Sequence, residues 1–178
     1  DKAIYAHAGW SVCKVLSILG ADDNPYLQST EYIQPLIFAV QVALAKTLIS
    51  WGMVPDVVLG QSMGEVAAAV VSGALSIDDG AKVIVTRSRL ASGDASTDGA
   101  MATVEMSAEK IEPLLVRHPG VTIAVYQSPT HVVLSGQATI LEPLLLELEA
   151  DDCRIQRIAV DYASHCEEVD PLLPQLNQ

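Results

Sequence analysis

The chain has 178 residues, half of them hydrophobic and 18% charged, with a mean hydropathy of +0.32. That suits one domain, or one larger domain with a small insert, and is too apolar for a disordered chain. Lys and Arg total 10 against 22 Asp and Glu, and the net charge of −12 argues against nucleic acid as a partner.

Taken in chain order, the first helical pattern covers Trp10 to Leu19 and closes at Gly20. A long helix is predicted from about Gln34 to Gly52, with Pro35 in its first turn and Gly52 as its stop. Ile37, Val40, Leu44, Leu48 and Trp51 recur at threes and fours, and are expected to form its buried stripe. Val57-Val58-Leu59 is short, β-branched and free of polar alternation, which reads as a strand buried on both faces. Gly60-Gln61-Ser62-Met63-Gly64 follows at once, then a helix from Glu65 to about Ser72. Another helix, Ile77 to about Leu90, begins after Ser76, an N-cap candidate with Asp78 and Asp79 in the first turn.

Residues 91–98 form a polar linker, and beyond it the texture changes. Ala100–Glu105 reads as a strand, Ala108–Arg117 as a helix and Val121–Tyr126 as a strand. After a turn at Gln127–Thr130 come a strand at His131–Ser135, a helix at Ala138–Ala150 and a last strand at Arg154–Val160. Pro113 and Pro143 fall inside the two helices, which are expected to kink there or to start later. The order βαββαβ is the split-βαβ, ferredoxin-like arrangement. The expected fold class is therefore α/β. Residues 1–98 supply part of a large parallel-sheet subdomain, 99–160 a ferredoxin-like small one, and 161–178 a return to the first.

No membrane-spanning helix is expected, because the longest stretch free of Asp, Glu, Lys and Arg, His118–Leu141, is broken by Pro119, Gly120, Gln127 and Pro129. Cys13, Cys153 and Cys166 are odd in number and lack C-x-x-C spacing. They read as ordinary thiols of a reducing, cytoplasmic compartment, with no disulfide framework and no metal site. The first residues show no basic segment followed by an apolar run, so no secretion signal is expected.

A buried strand, then Gly-x-Ser-x-Gly, then a helix is the setting of a nucleophile elbow, and points to an α/β-hydrolase-like large subdomain. Glycines flank the serine so that strand and helix can approach closely around a strained turn. The turn lifts Oγ clear of the sheet, and the helix N-terminus offers N–H groups to an oxyanion. The bland alternative is a serine in an ordinary strand–helix turn. Ser62 needs a base, and His7, His118 and His131 read as surface or strand-edge residues. His165 follows the last strand where the chain leaves the insert, and is the histidine best placed for general-base work.

Several ordered matches carry a family resemblance. They are Gln34-Pro35, Pro55 to Ala69 around Ser62, Gly73-Ala74-Leu75-Ser76, Arg87-Ser88-Arg89 and Gly99-Ala100-Met101-Ala102. Ser128-Pro129, Val133-Leu134-Ser135-Gly136 and Val160-Asp161-Tyr162-Ala163-Ser164-His165 complete them. Together they resemble the acyltransferase domains of modular polyketide synthases, which are similar to malonyl-CoA:acyl-carrier-protein transacylases. The resemblance implies that Ser62 is the nucleophile, forming an acyl ester with the CoA-borne group, and that His165 is its base. It implies that Arg87 pairs with the extender's free carboxylate, a suitable task for a guanidinium fork, and that the Met63 N–H is an oxyanion donor. Tyr162-Ala163-Ser164-His165 resembles the signature of methylmalonyl-using domains, where malonyl-using ones carry His-Ala-Phe-His, so Tyr162 and Ser164 are expected to shape the acyl pocket. Gln61 stands where the family usually has histidine.

The implied partners are acyl-CoA, an acyl carrier protein bearing phosphopantetheine, and neighbouring domains such as a ketosynthase, with no metal or redox cofactor and no membrane. Arg154 and Arg157 are weak candidates for carrier docking. The family begins with a Gly-Gln-Gly-type strand and continues past the histidine. This chain is therefore expected to be a piece of a larger domain, with activity belonging to the whole. Two other readings stay open. One is a G-x-S-x-G esterase or thioesterase, whose acid would lie among Asp94, Asp98, Asp151 and Asp152. The other is a non-catalytic module that kept the elbow.

Overall fold

The computed structural model describes residues 1–18, 25–27, 29–93, 98–160 and 162–176. It divides into two compact units, Asp1–Leu90 and Ala91–Gln178, each with its own apolar core.

Helices build the first unit. Instead of one helix over Trp10–Leu19 there are two, α1 (Lys2–Ala8) and α2 (Val12–Ser17). Gly9 ends α1 in the left-handed region, at φ 77°, with its N–H on the Tyr5 carbonyl. Ser11 then caps α2 by accepting the Lys14 N–H at 3.2 Å. Leu19 and Gly20 lie outside the described residues.

Helix α3 (Thr30–Ser50) starts earlier than expected because Ser29 caps it, its hydroxyl accepting the Glu31 N–H. Pro35 is thus the sixth helical residue rather than a first-turn one, while Gly52, at φ 90°, marks the stop as expected. The buried stripe differs from the predicted one. Ile37, Val40, Leu44 and Trp51 are exposed, whereas Leu36, Phe38 and Val42 enter the core with Ala67, Val70, Ile84 and Val85. Apolar residues cover most of the α3 circumference, so periodicity selects no single face. Among the described residues α3 is also long and apolar enough to cross a membrane, although Lys46 keeps it from being a charge-free stretch. Its Leu36, Phe38 and Val42 pack into the core of the first unit.

Val57-Val58-Leu59 is not a strand. It is extended chain without a ladder partner among the described residues, and Val57 and Leu59 are 76% and 91% exposed. A strand needs a neighbour for its backbone groups, and apolarity alone does not supply one. The helices that follow match their expectations: α4 (Gly64–Val71), and α5 (Ile77–Gly93) with Ser76 Oγ accepting the Asp79 N–H at 3.0 Å.

The second unit holds β1 (Gly99–Val104), α6 (Ala108–Leu115), β2 (Val121–Ser128), β3 (His131–Gln137), α7 (Ala138–Ala150) and β4 (Ile155–Ile158). The sheet is antiparallel in the order β2-β3-β1-β4, the ferredoxin-like order. Both helices run through their prolines from Ala108 and Ala138, so neither starts later. One face of the sheet (Ala102, Val104, Val132, Leu134) packs on Ile111 of α6 and Leu141, Leu144, Leu145 and Leu148 of α7. Leu144 is fully buried there. Leu144→Ala is expected to cost about 2–5 kcal/mol, read as a lower denaturant midpoint with an unchanged slope.

Candidate active site

Ser62 sits at φ 52°, a left-handed conformation that a non-glycine residue adopts at a cost of about 1–3 kcal/mol. Gly60 explains how the turn closes. A Cβ there would collide with the backbone of Gly64 and Glu65, at the start of α4. The turn is tied by the Gly64 N–H on the Gln61 carbonyl (2.9 Å) and the Glu65 N–H on the Ser62 carbonyl (3.0 Å). Gln61 is exposed, while Ser62 and Met63 are half-buried. The Met63 N–H, next to Ser62 at the N-cap of α4, has no acceptor among the described residues. Half-buried Arg87, from α5, donates from Nη2 to Ser62 Oγ at 2.9 Å. A permanent positive charge and a serine hydroxyl therefore share one hydrogen bond.

In the second unit, the segment after β4 is built onto the sheet. Gly99 permits this, because a Cβ there would collide with the backbone of Tyr162 and Ala163. Tyr162 and Ala163 are buried, and Ser164 donates from Oγ to Met101 Sδ at 3.1 Å. Beyond them Ser135 of β3 donates to Cys166 Sγ at 3.7 Å, and Gln137 Nε2 donates to Glu168 Oε1 at 2.8 Å. Between these anchors His165 is exposed at φ 60°, in the same strained region as Ser62. Asp161 lies outside the described residues. Gly99→Ala is expected to push this segment off β1 and lower turnover at least about tenfold, with a lower melting temperature. Turnover and melting measured on one sample check this.

Met101, Ser135, Gln137 and Glu168 support the segment that carries the histidine, and the sequence did not single them out for it. Only Met101 and Ser135 fall within the family-like motifs, and side-chain pairing across a sheet leaves no local signal. The other histidines have other neighbours. His7 lies 3.2 Å from Asp78, His118 is 3.7 Å from Glu147, and His131 Nδ1 faces the Ser128 and Thr130 hydroxyls of its own turn. Arg157 is held by Glu149 and Glu142 of α7, at 2.8 and 3.0 Å. The Arg157 hydrogen bond keeps the Glu149 carboxyl below its ordinary value, and those glutamates push the guanidinium further up. So its charge is already balanced, unlike that of Arg154, which is 88% exposed and 3.9 Å from Glu105.

The family described as acyl transferase domain matches the chain over residues 1–178. The chain belongs to the acyl transferase domain family. It is 41% identical over 98% of its length to polyketide synthase GfsB of Streptomyces halstedii, of which it spans 3%. It is 47% identical over 99% of its length to a mycocerosic acid synthase-like polyketide synthase of Mycolicibacterium smegmatis, spanning 8% of that protein. Among solved structures, the acyltransferase domain of the polyketide synthase PpsC of Mycobacterium tuberculosis superimposes with a TM-score of 0.87 at 36% identity. The match covers 98% of this chain and 51% of that one. A malonyl CoA-acyl carrier protein transacylase from Burkholderia pseudomallei gives 0.85 at 28% identity, covering 98% and 60%. This acyltransferase domain is thus of the polyketide synthase type and α/β in fold. The chain spans about half the length of the solved domains it matches.

Proposed function

We propose that the acyltransferase loads a methylmalonyl or malonyl extender from CoA onto the phosphopantetheine thiol of an acyl carrier protein, through an ester on Ser62. The observation that carries this reading is the Arg87–Ser62 hydrogen bond of 2.9 Å. A guanidinium so near the nucleophile suits an acyl group whose free carboxylate lies one carbon from the reacting carbonyl, as in a malonyl thioester. Two parallel hydrogen bonds from Arg87 would grip that carboxylate and leave the thioester carbon over Oγ. Ser62 attacks the carbonyl carbon and gives its proton to His165. The CoA thiolate leaves and takes that proton, and the carrier thiol repeats the exchange in reverse. Developing negative charge on the carbonyl oxygen is met by the Met63 N–H at the start of α4.

The Tyr162-Ala163-Ser164-His165 signature supports a methylmalonyl preference, since a serine in that position leaves room for an α-methyl. One methyl group is worth only about 1–3 kcal/mol, which sets the scale of discrimination at about 10–200-fold. The reading places the domain in the cytoplasm beside a ketosynthase within a larger synthase. No metal or redox cofactor enters its steps.

Intact mass of the full-length domain after mixing with malonyl-CoA and methylmalonyl-CoA in separate reactions tests it. An acyl adduct that a carrier protein then removes is the expected result. Free CoA accumulating without any carrier would identify a hydrolase instead, and no adduct in a folded sample would leave only a structural module.

A further inference from the structure

Arg87 is the middle of a set of contacts that radiate from one turn of α5. Successive residues of a helix point about 100° apart, so three in a row must address three different neighbours. Arg87 reaches Ser62 (2.9 Å). Ser88, fully buried, reaches the Glu31 carbonyl of α3 at 3.2 Å. Arg89 donates from Nη2 to the Ala8 carbonyl at the end of α1 (3.0 Å) and pairs through Nε with the Glu31 carboxylate at 3.6 Å.

The Ser88 contact has a cause in the sequence. In a continuous helix the Glu31 carbonyl would accept the N–H of residue 35, but residue 35 is proline and has none. Ser88 Oγ also lies 3.0 Å from the Val85 carbonyl of its own helix, the local bond that serine commonly makes. That carbonyl already belongs to the α5 ladder. Glu31 is the acceptor that Pro35 deprives of its helical donor, and Ser88, from another helix, shares its one hydroxyl proton between that carbonyl and that of Val85. The result is a tie between α3 and α5 next to the residue that touches the nucleophile.

We infer that Ser88 and the Glu31–Arg89 pair are positioning residues that set the rotation of α5 and so hold the Arg87 guanidinium at Ser62. This rests on the reading of Arg87 as the partner of the extender's carboxylate. It predicts that damage to the tie weakens selection for a carboxylated acyl group and spares the chemistry of an uncharged one.

The test measures kcat and KM of the full-length synthase for malonyl-CoA and for acetyl-CoA, which lacks the carboxylate. In Ser88→Ala, kcat/KM for malonyl-CoA is expected to fall about tenfold, mostly through KM, while that for acetyl-CoA stays within about twofold. Arg89→Gln alters a half-exposed side chain, so folding is preserved, and a shift of about threefold in the same direction is expected. If Ser88→Ala does not fold, Arg89→Gln decides the matter. Adding Pro35→Ala to Ser88→Ala returns an N–H to the Glu31 carbonyl without restoring the tie. It should recover melting temperature but not selectivity, and recovery of both would overturn the positioning role. Equal losses for the two thioesters, or no loss for either, would also overturn it. Arg87→Ala is the control. Unchanged selectivity there would overturn the reading of Arg87 and the inference together, whereas a change there with none in Ser88→Ala and Arg89→Gln overturns the inference alone.

Discussion

Ser62→Ala is expected to abolish the acyl adduct and to lower carrier loading by about 10⁵–10⁶-fold, the scale on which removing a nucleophilic serine acts. Alanine offers no atom that can form the ester, and neither neighbour can stand in. Gln61 is an exposed amide and Met63 presents only its N–H and a thioether. Folding should survive, because Ser62 is half-buried and alanine keeps the same Cβ at φ 52°. Ser62→Gly sharpens the test. It is equally unable to form an ester, yet glycine adopts that φ without penalty, so it should be more stable than Ser62→Ala by about 1–2 kcal/mol. Mass spectrometry reads the adduct and denaturant titration reads the stability. A Ser62→Ala protein that still acquires an acyl group, or a Ser62→Gly protein no more stable, would remove the nucleophile or its strain respectively.

On the proposed reading, Arg87→Ala is expected to lower kcat/KM for malonyl- and methylmalonyl-CoA by about 10²–10³-fold, because it removes both hydrogen bonds proposed to grip the carboxylate. Acetyl-CoA, which never engaged the guanidinium, should lose nothing by that route. Selectivity between carboxylated and plain thioesters should therefore collapse. Arg87→Lys is not a conservative control, since one ammonium cannot reproduce the planar fork, and an intermediate loss is expected. A further consequence concerns Ser62 itself. With Arg87 gone, Oγ loses a donor at 2.9 Å, so part of the effect should appear in kcat as well as KM. Steady-state kinetics with both thioester classes separates the two contributions.

Much of the second unit is legible in its residues alone. Helix α7 has the predicted bounds, Ala138–Ala150, and β1 and β3 lie within two residues of theirs. Short-range alternation in the strands and threes and fours in the helices are local properties, and each hairpin or helix here is closed by nearby turn residues. The first unit is harder to read. Gly9 and Ser11 divide an apolar pattern into α1 and α2, since a left-handed glycine and a capping serine outweigh periodicity. In α3 the predicted stripe is the wrong face, because nearly every face is apolar and only the packing of α4 and α5 decides which is buried.

The elbow, too, is legible, since its glycines answer a local steric demand that holds whatever surrounds it. Close approach at Gly60 and positive φ at Ser62 follow from five consecutive residues. The candidate role of Arg87 comes from a family resemblance, while its bond to Ser62 is a matter of tertiary structure. No spacing rule reveals that Pro35 leaves the Glu31 carbonyl to Ser88, or that Gly99 makes room for Tyr162 and Ala163.

The apolar helices, the βαββαβ order, the Gly60–Gly64 turn and the chemical types of the candidate-site residues are all legible in the chain itself. All of these rest on steric and hydrogen-bonding preferences that act over a few residues. Tertiary structure alone decided which face of α3 is buried and that Val57–Leu59 has no strand beside it among the described residues. It also decided that Arg87 reaches Ser62, and that Ser164 and Gln137 anchor the chain around His165. Each of those depends on which distant segment arrives, and a hydrogen bond between residues far apart in the chain leaves no mark on the periodicity of either.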